Sequence, residues 1–325
     1  MSRIPFAIPA FAMISFALAG PPAEAKDYPD RPVRVIVATQ AGGGYDFIGR
    51  LLAEKLHAEL GQPLVVENRP GAGMLMGTQA VAVAPADGYT LLVGGLANLA
   101  LTPGMYEKPG YDPVVDFTPI ALVGSFSYTL IGRKELPQST LQEIIVYARA
   151  NPGKLTIATA GTGTGQHVAA ALLKQLAKID LVEVPYKGAQ AAYTDIFGGR
   201  VDLFFDNTTT ARPFVEGGRV KAIATSGTAR DALLPNVPTS RESGVDGMEL
   251  ESWIGLFAPA RTPKPAVEEL RRAMAKAMQS PDMRKRLETN GWKMLSMSPQ
   301  ETDAFMKVQA DRWGQFVRKA GIKAE

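Results

Sequence analysis

The placement of glycine constrains this chain more than any other feature. Val33 to Val37 is an apolar run of strand length that breaks into Ala41, Gly42, Gly43 and Gly44, and an amphipathic stretch opens at Asp46. Midway along, Leu155 to Ala158 breaks in the same way into Gly161, Thr162, Gly163, Thr164 and Gly165, ahead of a helical pattern over 166–176. A strand, a glycine loop and a helix start bring bare backbone amides and the positive end of a helix dipole to one point. Two such units predict two lobes whose anion-binding loops face one shared cleft.

Size agrees with that expectation. At 325 residues and 46% hydrophobic content, the chain is long for one core and can bury two. The formal charge of +3, from 35 basic and 32 acidic residues, gives no case for nucleic acid, and no basic run or tail appears. No cysteine is present, which excludes a disulfide framework, a thiolate nucleophile and a cysteine metal site. His57 and His167 are the only histidines.

The first 25 residues read as an export signal: Arg3 supplies a basic start, Phe6 to Leu18 an apolar run too short to span a bilayer, and Ala23-Glu24-Ala25 a small-x-small cleavage site. Pro5, Pro9, Pro21 and Pro22 argue against a buried helix there. A lipid anchor would need a cysteine after the apolar run. No later stretch is long and apolar enough to cross a membrane, so the mature protein is expected in the periplasm.

Beyond an extended lead-in at Tyr28 to Pro32, strands are expected at 33–37, 64–67 and 90–93, with helices between them. Ile48, Leu51, Leu52, Leu56 and Leu60 share one face of the first helix, Gly61 closes it, and the second is expected to reach Ala84. Strand–helix alternation of this kind implies parallel pairing with right-handed crossovers. Gly94 to Thr102 leaves the third strand at its C-terminal end, where open α/β sheets bind ligands, and Pro103 to Pro119 is expected to be irregular. A first crossing between lobes is expected at 120–131, around Gly124, Ser125 and Phe126. The second lobe should open with a helix capped by Ser139 or Thr140 with Glu143 as the capping-box partner. Strands at 182–184, 202–205 and 222–225 follow, with Asp206, Asn207 and Thr208 as a polar strand end. The strand-like Leu250 to Leu256 is the expected second crossing. From Pro265 onward the pattern is helical, with Val267, Leu270, Met274, Ala277 and Met278 in one stripe and Phe305, Val308, Trp313, Phe316 and Val317 in another.

Enzymatic motifs fail one by one. GAGMLMG at 71–77 has its third glycine displaced from a dinucleotide fingerprint and follows the second strand, so it reads as a tight turn. There is no Walker loop, no nucleophile elbow and no His-Glu-x-x-His. His57 lies on a charged helix face. His167 falls in the first turn of the helix after the second glycine loop, where the dipole favours a neutral imidazole, and no nucleophile or orienting acid stands out beside it. Catalytic residues, metal ligands and cofactors are therefore expected to be none.

AGGGYD with its helix, VVENRPGAG, DGYTLL, the glycine loop followed by His167, VPYKGA, GGRVDLFFDN, LPNVPT and GLFAPARTP occur in this order along the chain. Together they resemble the Bug substrate-binding proteins of tripartite tricarboxylate transporters over the whole mature length. The resemblance implies an α/β, two-lobed type II periplasmic binding protein fold, each lobe a sheet flanked by helices, with a ligand cleft between the lobes and two hinge crossings. On that reading lobe 1 comprises 26–124 and 252–325, and lobe 2 comprises 125–251.

The family's loops grip a ligand carboxylate through backbone amides and bridging waters. Carried onto this sequence, the resemblance implies Gly43, Gly44 and Asp46 on one side and Thr162, Gly163, Thr164 and His167 on the other. It places Gly94 to Asn98, including Ala97 and Asn98, with Ser125 to Ser127, Lys187, Asp206 and Asn207 at the far end of the ligand. The implied partners are a small carboxylate and a membrane permease with one large and one small subunit, with no nucleic acid, and the receptor is expected to be monomeric. Two departures bear on specificity: Thr39-Gln40 replaces the family's proline and aromatic pair, and Tyr45 stands where a small hydroxyl residue is common. Tyr45 and Phe126 could form an aromatic wall, which adds aromatic carboxylates to the aliphatic dicarboxylates as candidate ligands.

Overall fold

The structure is a computed structural model that describes residues 28–323. The export signal expected at 1–25 lies outside the described residues. Strand β1 (Val33–Val37) lies between β2 (Leu64–Asn68) and β3 (Thr90–Gly95), all parallel, with the crossovers made by α1 (Gly44–Leu60) and α2 (Leu75–Ala82). The five apolar residues expected on one face of α1 are all buried, and Gly61 ends the helix in the left-handed conformation. Helix α2 stops at Ala82, two residues short of the expected Ala84. After β3 the chain does not loop: it forms a π-helical turn at Ala97–Leu101 and a short helix α3 (Thr102–Met105).

The first crossing is a single 17-residue strand, β4 (Phe117–Arg133), instead of two strands joined at a loop. From Phe117 to Ser127 it pairs with β9 (Glu251–Pro259), and from Tyr128 to Gly132 with β7 (Leu203–Asn207). One strand therefore serves both lobes. The second lobe adds α4 (Leu141–Ala150), β5 (Thr156–Thr159), α5 (Gly165–Ala177), β6 (Val182–Pro185), α6 (Ala189–Phe197), α7 (Thr208–Glu216) and β8 (Val220–Thr225). Thr140 caps α4 with Glu143 in a reciprocal capping box, as its sequence predicts. Helix α7 is unforeseen: Asp206 and Asn207 belong to β7, and Asn207 caps a helix that starts at the next residue. The strand order is β2-β1-β3-β9-β4-β7-β5-β6, with β8 and β10 (Lys293–Met294) also against β4.

Strand β9 is the second crossing, antiparallel to both β3 and β4 and buried throughout after Glu251. Cover on both faces explains its near-continuous apolar run. The C-terminal helices α8 (Lys264–Met278), α9 (Pro281–Thr289) and α10 (Pro299–Lys319) return to the first lobe. Gln309 on α10 accepts from the indoles of both Trp253 on β9 and Trp313, at 3.2 and 2.9 Å, which fixes the helix over the sheet. Val308, expected in the buried stripe of α10, is 61% exposed. Its three-residue spacing from Phe305 puts it on the rim, whereas Trp313 and Val317 are buried.

Candidate functional site

A cleft of about 620 Å³ opens between the lobes. Its first wall is the loop before α1. The first intrahelical bond there runs from the Phe47 amide to the Gly43 carbonyl, so the amides of Gly43, Gly44 and Tyr45 precede the helix ladder. Gly43 and Gly44 line the cleft, and a side-chain carbon on Gly43 would meet nothing within 4 Å. Asp46 does not cap the helix: the cap position is Gly43, which makes no side-chain cap bond. Its carboxylate instead accepts from the Gly42 amide at 2.9 Å, from Arg50 at 3.0 Å and from Asn68 at 2.9 Å, pointing behind the loop. Burial alone would push this acid up, but those bonds outweigh it and hold it below the usual carboxylate range.

The opposite wall is the loop before α5. Thr164 caps the helix by accepting from the His167 amide at 3.3 Å and donates to the Gly161 carbonyl at 2.8 Å. His167 is turned away from the cleft: Nδ1 accepts from the Gly163 amide at 3.1 Å, and Nε2 lies 3.2 Å from Glu183 Oε2. Lys174 closes this chain onto Glu183 at 2.8 Å. Hydrogen bonds from His167, reinforced by Lys174, outweigh burial and bring Glu183 down to about 2. His167 therefore braces the loop, with its neutral Nε2–H tautomer assigned from these partners.

The structure brings Gly43, Gly44, Tyr45, Ala97, Phe126, Thr164, Asp206 and Asn207 together on the cleft wall. The remaining expected residues do not line it. Asp46, Gly163 and His167 support the loops from behind. Asn98 is fully buried, accepting from the Gly95 amide and donating to Thr78, both at 2.9 Å. Ser125 lines a separate groove of about 630 Å³ on the hinge. Thr162 and Lys187 are solvent-exposed.

Several contributors were not foreseen. Trp292, brought back by the pairing of β10 with β4, packs edge-on against Phe126 at 4.8 Å, and Tyr128 packs edge-on against the same ring at 5.3 Å. With Tyr45, whose hydroxyl accepts from the Ala97 amide at 3.3 Å, these rings form the aromatic part of the wall. Thr209 also lines the cleft, and its buried hydroxyl has no hydrogen-bond partner among the described residues. The DNTTT run at 206–210 is the sequence signal for it.

Four helix N-termini reach this cleft: Gly44 of α1, Gly165 of α5, Ala189 of α6, and Asn207 with Thr209 at the start of α7. The described lining contains no lysine or arginine. The site's attraction for an anion therefore comes from backbone amides and helix dipoles, which suit a small acid held in a low-dielectric cleft. The lobes also touch across it, with Met105 crowding Gly163 and Thr209 pressed against Gly291.

Fold and cleft together are those of a two-lobed solute-binding protein. The description "Tripartite tricarboxylate transporter family receptor" matches residues 48–322, and the chain belongs to that family. Among curated relatives, it is 35% identical over 298 residues to a UPF0065 protein in the tcbD-tcbE intergenic region of a Pseudomonas species, covering 91% of this chain and 88% of that one. It is 31% identical over 303 residues to BugT of Bordetella pertussis, covering 93% of each. Among solved structures, the periplasmic binding protein BugD is 36% identical with a TM-score of 0.77, over 92% of this chain and 100% of that one. An R. palustris protein solved with adipate is 32% identical with a TM-score of 0.79, over 91% and 99%. MatC of Rhodopseudomonas palustris, solved with malate, is 34% identical with a TM-score of 0.77, over 89% and 100%.

Proposed function

We propose that this protein is a periplasmic receptor that closes its two lobes on a small organic carboxylate and hands it to a tripartite membrane transporter with one large and one small permease subunit. The observation that carries this reading is the convergence of four helix N-termini on a cleft without lysine or arginine. Ligands in two neighbours, adipate and malate, support the same class. No helix among the described residues is long and apolar enough to cross a membrane. The lobes are assigned as 26–124 with 252–325, and 125–251. That division is supported by the change of partner along β4 between Ser127 and Tyr128.

Gly43, Gly44 and Thr164 offer the first contacts to the carboxylate, and Tyr45, Ala97, Phe126, Asp206 and Asn207 meet the rest of the ligand. An aromatic acid is the second candidate beside aliphatic dicarboxylates, favoured by the Tyr45, Phe126, Tyr128 and Trp292 rings. Catalysis is not part of this reading: both ring nitrogens of His167 are engaged by Gly163 and Glu183. A thermal-shift screen of mono-, di- and tricarboxylates, aliphatic and aromatic, tests the assignment. A matching acid at a hundredfold its dissociation constant should stabilise the protein by about 2.7 kcal/mol, and stabilisation by none of them would overturn it.

A further inference from the structure

Asp206 is the one acidic residue among the described residues lining the cleft, and it is 2% exposed. Its Oδ1 accepts from the Gln166 side chain at 3.2 Å and its Oδ2 from the Tyr193 hydroxyl at 3.0 Å. Both donors are neutral. Thr129 faces it across the ladder from β4. The titratable groups turned toward it are Tyr193 on α6 and Tyr128 on β4, both pushed above the ordinary phenol range by burial. On α5, His167 is directed at Glu183, and on α7 Arg212 pairs with Glu216. On the opposite wall Asp46 is directed at Arg50 behind its loop. Among the described residues no cation therefore answers a charge on Asp206, and burial, only partly offset by its hydrogen bonds, pushes the acid up to about 6.

Gln166 connects this acid to the anion grip. It is the second residue of α5, so its backbone amide belongs to the free first turn while its side chain holds Asp206. A ligand carboxylate drawn to that helix start arrives beside a buried carboxylate, and two close carboxylates in a dry site retain one proton between them. We propose that Asp206 takes up a proton when the ligand binds, so that the receptor captures a carboxylate together with one hydrogen ion. This rests on the carboxylate-receptor reading above and adds a protonation step to it. The neutral acid can then donate a hydrogen bond where its anion would repel the ligand.

The test follows the Asp206 side-chain carboxyl carbon by NMR in aspartate-labelled full-length mature protein from pH 4 to 9, alone and with 10 mM adipate, malate or benzoate. Binding of each acid is titrated over the same range, and Asp206→Asn assigns the signal. The expected midpoint is near 6 without ligand and at least one pH unit higher with a bound probe. Affinity should fall up to tenfold per pH unit between the two midpoints, and above pH 6, where the probes are fully ionised, the Asp206→Asn variant should bind with a constant affinity that exceeds the wild type's at pH 8. A ligand-free midpoint below about 4.5, a midpoint that does not move when a probe binds, or an unchanged pH dependence in Asp206→Asn would each overturn the proposal. If none of the three acids binds at any pH, the carboxylate reading itself fails, and the proton coupling with it.

Discussion

Each lobe places one buried aspartate next to its wall of the cleft, and the two are held in opposite ways. Asp46 is 4% exposed and Asp206 2%, so both are shielded from solvent, but Asp206 lies much deeper in the protein. Asp46 has Arg50 at 3.0 Å as well as the Gly42 amide, and its acidity is held below the ordinary range. Asp206 has a side-chain amide and a phenol, and it is pushed up to about 6. A charged hydrogen-bond donor at the shallower site and neutral donors at the deeper one set the two acidities apart, so that Asp206 titrates near 6 while Asp46 is held below the ordinary range. The position of each follows suit: the more acidic one is turned behind its loop, where it braces the Gly42 amide, and the other lines the cleft.

The largest test of this contrast is the pH dependence of stability. Because folding raises the Asp206 acid from 3.8 to about 6, its contribution is complete below 3.8 and is lost as pH rises through about 6. A shift of this size corresponds to about 3 kcal/mol, so Asp206→Asn should be more stable than wild type at pH 8 by up to about 3 kcal/mol in urea unfolding, with the gain shrinking toward pH 4. A gain that is the same at both pH values would break the contrast. Asp46→Ala should act the other way. It leaves the Gly42 and Asn68 donors without their acceptor, which costs about 2 kcal/mol at pH 7 and loosens the first loop. Unchanged unfolding and unchanged ligand affinity in that variant would remove Asp46 from its bracing role.

The loops differ as their aspartates do. A side-chain carbon on Gly165 would collide with the buried Tyr128 hydroxyl, whereas one on Gly43 meets open space. Gly165→Ala is therefore expected to cost about 1–3 kcal/mol, with Tyr128→Phe relieving part of it, while Gly43→Ala changes unfolding by less than about 0.5 kcal/mol. Equal losses in the two alanine variants would contradict this account of the loops. Glu183→Gln probes a different pH window from the other variants. Folding lowers this acid from 4.5 to about 2, so its contribution is present above pH 4.5 and is lost as pH falls through about 2. Acid unfolding of the variant should lack that component between pH 4.5 and 2 and match wild type in its slope above pH 5.

Much of this was legible in the sequence because the signals are local. The glycine loops, the leucine face of α1 and the Thr140 capping box each depend on residues within a turn or two of one another. Long-range geometry was not legible. Trp292 reads as part of a helical tail, and only the pairing of Lys293 and Met294 with Ser125 and Gly124 brings it to the cleft. Helix α7 was hidden because Pro213 interrupts its pattern and three threonines open it, yet Asn207 and its first turn supply part of the wall. The family resemblance implies His167 and Asp46 at the carboxylate grip because of the loops they follow. Both belong to loops that reach the cleft, but their side chains point away from it, and side-chain direction is set by partners such as Glu183 and Arg50 that sequence spacing does not nominate.

The central claim is that helix starts and backbone amides recognise a carboxylate without help from any lysine or arginine in the cleft. Calorimetric titration at pH 6 with an acid that stabilises the protein, beside the same molecule as its neutral amide, tests it directly. The account predicts binding of the acid and none of the amide, with affinity retained when exposed Lys187 is changed to alanine. Equal binding of acid and amide, or loss of binding in Lys187→Ala, would contradict it.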